Sequence, residues 1–98
     1  MATFILLSKL SPGSATQAKE ILRSDEQFQR RLERQCPGVK RLASYALLGA
    51  YDFLHIFEAE DAREATKVAL LANAFGPAST QTFTAIPFSE FGEILEEL

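Results

Sequence analysis

Cysteine, histidine and positive charge are all scarce in this sequence. Its single cysteine, Cys36, excludes an internal disulfide bond and makes the cytoplasm the default location. The net charge of −3 and the pI near 5.1 argue against a nucleic-acid-binding stripe or a polybasic membrane anchor. The apolar run that opens the chain is too short to cross a bilayer and lacks the pattern of a leader. We therefore expect a cytoplasmic protein without nucleic-acid or membrane partners.

The motifs of common catalytic sites are also missing. There is no phosphate-binding loop, nucleophile elbow, zinc pattern or pair of carboxylates at a recognisable spacing. The one histidine, His55, and Cys36 lie on separate predicted elements without metal-ligand spacing. The sequence thus predicts no catalytic residue, no metal site and no cofactor.

What the sequence does have is a large apolar content. Hydrophobic residues make up 47% of its 98 residues, which we interpret as one domain over residues 1–98. A domain of this size buries only part of its apolar surface. Burial against a second copy would cover the remainder, so we expect a homodimer or a higher oligomer, with a small hydrophobic ligand as a further candidate partner.

The pattern of apolar residues predicts four strands, over residues 3–10, 39–48, 51–59 and 78–86. The turn Ser11-Pro12-Gly13 ends the first strand, and Gly49-Ala50 supplies a tight reversal between the second and third. Alternation along the third strand places Tyr51, Phe53, His55 and Phe57 on one face.

Helical periodicity predicts three helical regions. Residues 14–36 form the first, in two pieces, because Ser24 and Gln27 resemble a capping box. The second begins after Asp61 as its N-cap and ends with Gly76 as its C-terminal cap. Ser89 is expected to cap a short last helix, whose apolar residues are predicted to face inward: Phe91, Ile94, Leu95 and Leu98.

This order of elements is the βαββαβ pattern of an α+β, ferredoxin-like fold. Right-handed crossovers place both main helices on one face of an antiparallel sheet. The other face is then uncovered in the monomer and too apolar to be wet, so we expect it to pack against a partner. We predict that the face with Phe53, His55 and Phe57 meets that partner.

The run Gly49-Ala50-Tyr51-Asp52, followed by Phe-Leu-His-Ile-Phe-Glu-Ala-Glu-Asp, resembles the signature of the GYD-domain family. These small, mainly prokaryotic proteins are similar to dimeric α/β-barrel folds, and the resemblance extends over essentially the whole chain. A similar Gly-x-Tyr-Asp hairpin occurs in the ligand-sensing domains of leucine-responsive-type regulators. The family has no agreed catalytic residues, so the resemblance implies the fold and an oligomer but no chemistry.

The candidate site residues each have a structural and a functional interpretation. We interpret His55 as packed in a subunit interface; the alternative is a base or a ligand-binding donor in a pocket. Tyr51 and Asp52 are expected to hold the turn, or else to form a polar corner at a pocket mouth. Tyr45 is either a pocket neighbour or an interface aromatic, and Cys36 is expected to be a buried structural thiol.

The leading functional hypothesis is a non-catalytic protein of the GYD family that binds a small molecule or forms an assembly. The alternative is a small cofactor-free enzyme, a monooxygenase or isomerase, with a pocket between sheet and helices. A third interpretation is a trimeric, signalling-type ferredoxin fold that uses strand edges. A hollow space beside the sheet would favour a ligand, whereas a space filled by Phe53, Phe57 and Tyr45 would favour an interface.

Overall fold

The computed structural model describes residues 1–10, 18–75 and 77–98. Its elements confirm the predicted order: β1 (Ala2–Leu10), α1 (Ala18–Gln35), β2 (Lys40–Ala46), β3 (Phe53–Ala59), α2 (Ala62–Asn73), β4 (Pro77–Ala85) and α3 (Phe88–Glu96). The strands form one antiparallel sheet in the order β2-β3-β1-β4. The expectations for Ser11-Pro12-Gly13 and for Gly76 fall outside the described residues.

The core lies between the sheet and the helices α1 and α2. The strand residues that face the helices are held in register, with Phe4 opposite Phe57 and Leu6 opposite His55. The rings of Phe4 and Phe57 stack with centroids 5.6 Å apart. The buried core comprises Phe4, Leu6, Phe28, Leu32, Cys36, Phe57, Ala59, Ala65, Val68 and Ala72.

This register corrects the prediction about the third strand. Phe53, His55 and Phe57 do share one face, but that face lies under the helices rather than at a partner, and Phe57 is only 1% exposed. Alternation identifies which residues share a face but not which face the crossover helices cover. The prediction that His55 packs in a sheet-to-sheet interface is therefore wrong.

The other face of the sheet has no helix on it among the described residues. Its centre is apolar: Ile5 lies opposite Ile56, and Leu7 lies opposite Leu54. Tyr45 and Phe83 extend this patch onto β2 and β4, opposite Leu54 and Ile5 respectively. We call these six residues, Ile5, Leu7, Tyr45, Leu54, Ile56 and Phe83, the open face.

Helix α1 is one continuous helix from Ala18 to Gln35, so the predicted break at Ser24 is wrong. No glycine or proline interrupts residues 18–35, and a serine in a helix interior leaves the backbone hydrogen bonds intact. Helix α2 begins as predicted, because the Asp61 side chain accepts a hydrogen bond from the Glu64 amide at 3.0 Å. It ends at Asn73 with Ala74 at the C-cap.

The hairpin between β2 and β3 is wider than the predicted two-residue reversal. The Leu47 amide donates to the Asp52 carbonyl at 2.8 Å and closes the loop that contains Gly49. Gly49 has a φ of 149°, a backbone conformation that side chains with a Cβ rarely adopt. The glycine is thus required by the turn, although a Cβ there would meet no atom within 4 Å.

Helix α3 differs from the prediction in two ways. Pro87 is its N-cap and Ser89 lies inside the helix, so the predicted serine cap is wrong. Its apolar side chains do not point inward, since Phe88, Phe91, Ile94, Leu95 and Leu98 are all exposed. Within residues 1–10, 18–75 and 77–98, no other layer covers the apolar side of this helix. None of the helices in the described residues is long and apolar enough to cross a membrane.

Candidate functional site

A pocket of about 320 Å³ lies between α1 and the covered face of the sheet. This volume is at the lower end of the range typical of small-molecule sites. Helix α1 contributes one wall, strands β1, β2 and β3 the floor, and the end of α2 the far side. The apolar lining residues include Leu6, Ile21, Phe28, Phe53 and Phe75.

A network of polar side chains occupies the β2 side of this pocket. Arg41 on β2 makes a bidentate ion pair with Asp25 on α1. The Nη2 atom of Arg41 lies 3.0 Å from Oδ1 of Asp25, and its Nη1 atom lies 3.3 Å from Oδ2. Arg41 also donates to Oε1 of Gln29 at 3.1 Å and to Oγ of Ser44 at 3.0 Å. Its guanidinium lies over the ring of Phe28, 5.4 Å from the centroid. The cation is thus held by four neighbours at once.

His55 is the end of this network. Its Nδ1 lies 2.7 Å from the Ser44 hydroxyl and 3.2 Å from Nη2 of Arg41. Burial and the positive charge of Arg41 lower the pKa of His55, while Asp25 acts in the opposite direction. The imidazole is therefore uncharged at neutral pH. This arrangement supports the pocket interpretation of His55 that the sequence left open.

The structure separates Tyr51 and Asp52 from this pocket. The Asp52 carboxylate accepts a hydrogen bond from the Leu10 amide at 2.7 Å, and the Asp52 amide donates to the Ser8 carbonyl at 2.9 Å. The Tyr51 hydroxyl donates to Gln81 on β4. Neither residue lines the pocket. The Tyr-Asp pair therefore ties the hairpin to the end of β1 and to β4, which is the structural interpretation.

The remaining candidates divide between the two faces. Phe53 lines the pocket, whereas Phe57 lies in the core beneath it. Tyr45 belongs to the open face by register and is 58% exposed, yet it also reaches the rim of the pocket. Cys36 is buried, and burial is the main cause of its raised pKa, with Glu64 adding to the effect. It is a structural thiol, as predicted.

Sequence reasoning missed four residues of the network, namely Asp25, Gln29, Arg41 and Ser44. Asp25 and Arg41 are 16 residues apart in the chain and belong to different elements, so no local spacing connects them. Ser44 becomes relevant only because the register of β2 and β3 sets it opposite His55. A buried histidine needs a polar partner, and this requirement is the only sequence signal that could have prompted a search for one.

A four-stranded antiparallel sheet with two crossover helices on one face defines a ferredoxin-like α+β protein. The model of the GYD domain matches residues 4–95, and the chain belongs to this family. It is 42% identical over 91 residues to a protein of Thermus thermophilus named glutamine synthetase and cystathionine beta-lyase binding protein. That match covers 92% of this chain and 94% of the relative.

Solved structures with low sequence identity share the fold. The structure of MtbAldR superposes with a TM-score of 0.66 at 17% identity over 88% of this chain, which spans 52% of that protein. A 5-chloro-2-hydroxyhydroquinone dehydrochlorinase from Burkholderia phenoliruptrix gives a TM-score of 0.61 at 19% identity, covering 86% of this chain and 93% of its own. At these identities the likeness concerns architecture alone.

Proposed function

We propose that this protein is a non-catalytic, homo-oligomeric binding protein that holds a small, largely apolar molecule between α1 and the sheet. The pocket of about 320 Å³ is the observation that carries this proposal. Its walls are mainly aliphatic and aromatic, with a smaller number of polar side chains among them. This distribution is typical of small-molecule sites, in which apolar contacts give affinity and a few polar groups give orientation.

The polar network supports binding rather than proton transfer. A general base needs a free lone pair and a pKa near the working pH. In His55 the lone pair of Nδ1 is already engaged by Ser44 and Arg41, and the pKa is lowered. The carboxylate of Asp25 is likewise engaged by Arg41 through both oxygens. These groups are arranged to hold one another in place.

The shape of the monomer supports the oligomer. Its accessible surface is 6908 Å², whereas a compact monomer of this mass exposes roughly 5,600 Å². The radius of gyration is 14.7 Å, compared with roughly 12.6 Å for a compact chain of this length. Tyr45 and Phe83 of the open face are among the exposed apolar residues, the other four being half-buried, and a second copy offers an apolar face of the same size.

The oligomer is tested by light scattering on the purified protein at micromolar concentration. We expect a mass of at least twice the 10.9 kDa of the single chain. A mass of one chain throughout that range would contradict the proposed assembly.

Ligand binding is tested with acetophenone and ethylbenzene, two small aromatic probes that fit the pocket. Ala46→Phe places a ring at a lining position, whereas Ala50→Phe alters an exposed alanine of the nearby loop that does not line the pocket. We expect NMR titration to show binding of at least one probe to the wild type and to Ala50→Phe, and clearly weaker binding to Ala46→Phe. Failure of both probes to bind the wild type would contradict the ligand proposal.

A second candidate function is binding to another protein. The name of the Thermus thermophilus relative favours it, and the exposed apolar residues of α3 offer a surface. The test is co-sedimentation with purified glutamine synthetase and cystathionine β-lyase. If α3 is the binding surface, Leu95→Ser should weaken the interaction and Leu70→Ser, an equally exposed leucine of α2, should not. No interaction with either enzyme would rule out this candidate for those partners.

A further inference from the structure

The direction of the hydrogen bonds in the polar network defines which group faces a ligand. A guanidinium donates hydrogen bonds and accepts none. Arg41 therefore donates to Asp25, to Gln29 and to the Ser44 oxygen. Once its oxygen has accepted from Arg41, the Ser44 hydroxyl is oriented to donate its own proton to Nδ1 of His55, at 2.7 Å.

The same hydrogen-bond directions determine which ring nitrogen of His55 carries the proton. Nη2 of Arg41 has two protons for three acceptors, so the proton that does not go to Asp25 is shared between the Ser44 oxygen and Nδ1. The Ser44 hydroxyl and Nη2 thus both present a proton to Nδ1, and Nδ1 accepts. A neutral imidazole that accepts at one nitrogen carries its proton on the other. His55 is therefore the Nε2–H tautomer. No described residue hydrogen-bonds Nε2, while the ring of His55 lines the pocket.

The other charged groups of the pocket are already paired. Both oxygens of Asp25 accept from Arg41, and both terminal nitrogens of Arg41 donate within the network. Glu20, at the rim, is largely exposed and lies 3.7 Å from Arg23. A charged ligand would lose its hydration without gaining an unpaired opposite charge. Among the described residues a neutral ligand meets mainly apolar side chains, together with the Nε2–H donor of His55.

We propose that the pocket selects uncharged aromatic or alicyclic molecules that carry a carbonyl oxygen, with Nε2–H of His55 donating a hydrogen bond to that oxygen. This inference rests on the proposed ligand-binding function and adds the chemical class of the ligand to it. His55 is then the specificity-determining residue, and Ser44 and Arg41 position it.

The test compares four probes of similar size that differ in one group: acetophenone, ethylbenzene, benzoate and benzylamine. We expect acetophenone to bind the wild type about three- to tenfold more tightly than ethylbenzene, which corresponds to one net hydrogen bond. Benzoate and benzylamine should bind more weakly than either. In His55→Leu the ratio of the acetophenone affinity to the ethylbenzene affinity should fall to about one, because the donor is gone.

The outcomes separate this inference from the proposed function. Equal binding of acetophenone and ethylbenzene would overturn the carbonyl inference and leave the apolar ligand site standing. Tightest binding of benzoate would overturn it in favour of an anion site at Arg41. If none of the four probes binds to the wild type, the proposed ligand-binding function itself is overturned.

A measurement on the wild type keeps the inference testable if His55→Leu fails to fold. His55 is the only histidine of the chain, so its two ring nitrogens give an unambiguous ¹⁵N spectrum. We expect the Nε2–H tautomer at neutral pH, and a shift of Nε2 but little shift of Nδ1 when acetophenone is added. A proton on Nδ1, or an Nε2 signal that does not respond to bound acetophenone, would overturn the inference.

Discussion

The two faces of the sheet are built from neighbouring residues of the same strands and yet have different characters. The covered face combines a packed core with a pocket and a chain of paired polar groups that ends at His55. The open face presents aliphatic and aromatic side chains, with Lys9 near one end and the opposed pair Lys40 and Glu58 at the other. This difference is the basis of our proposal that the covered face binds and orients a small molecule, whereas the open face packs against a second copy of the chain.

The largest effect is expected in the core of the covered face. Phe57→Ala should lower the free energy of unfolding by about 3–5 kcal/mol, because Phe57 is almost fully buried and stacks on Phe4. Ile56→Ala, the neighbouring residue on the open face, should cost clearly less at a dilution where the protein is monomeric. Urea unfolding measures both. Equal losses would mean that the two faces are not energetically distinct.

A charged substitution on the open face should weaken assembly and leave the fold of the monomer intact. Ile56→Asp would bury an unpaired carboxylate among apolar side chains of a second copy. We expect the variant to remain folded by circular dichroism while its dimer dissociates at more than tenfold higher concentration. Leu70→Asp, on the exposed side of α2, is the control and should assemble like the wild type. Dissociation of both variants alike would show that the open face has no special role.

The hairpin fixes the register of β2 against β3. A one-residue slip would move each β2 side chain to the opposite face of the sheet. Gly49→Val should cost about 1–3 kcal/mol, since valine is strained at the φ of 149° that Gly49 adopts. Ala50→Val is the control and should cost less. Thermal unfolding compares the two. A melting shift for Gly49→Val no larger than for Ala50→Val would show that the hairpin does not depend on this glycine.

The smallest expected effect is a pH dependence that originates on the covered face. Burial and Arg41 lower the pKa of His55, opposed by Asp25, so the unfolded chain takes up its proton at a higher pH than the folded protein. The stability that the neutral imidazole contributes is thus complete above about pH 6.5 and is lost as the pH falls through the lowered pKa.

Urea unfolding of the wild type and of His55→Leu between about pH 7.5 and about pH 5 measures this contribution. We expect the wild type to lose more stability than His55→Leu as the pH falls. The difference in the free energy of unfolding between the two proteins could instead stay constant, or change in favour of the wild type at low pH. Either result would contradict the lowered pKa of His55.

The sequence predicts the order of the elements well and the site only in part. The strands, the Asp61 cap and the glycine turn follow from local chemistry, and the structure confirms them. Alternation correctly groups Phe53, His55 and Phe57, but the side of the sheet they occupy depends on how the crossover helices pack. The pairing of Asp25 with Arg41 depends on the packing of α1 against β2, which no local pattern encodes.

Two further corrections have the same origin. A serine three residues before a glutamine resembles a cap, but inside an uninterrupted helix the backbone bonds of α1 prevail over it. The apolar stripe of α3 predicts burial, and the structure leaves Phe91 and Leu95 exposed because no layer formed by the described residues covers them. Periodicity reports that a face is apolar but not what covers it.

The proposal that the open face packs against a second copy is tested most directly in the wild-type protein. The measurement is the access of a soluble paramagnetic probe to its methyl groups. At micromolar concentration and above, we predict that the methyls of Ile5, Leu54 and Ile56 on the open face are as protected as that of Leu6 in the core. The exposed methyls of Leu48 and Leu70 should be broadened and serve as the internal reference. Open-face methyls broadened as strongly as those two would contradict the account.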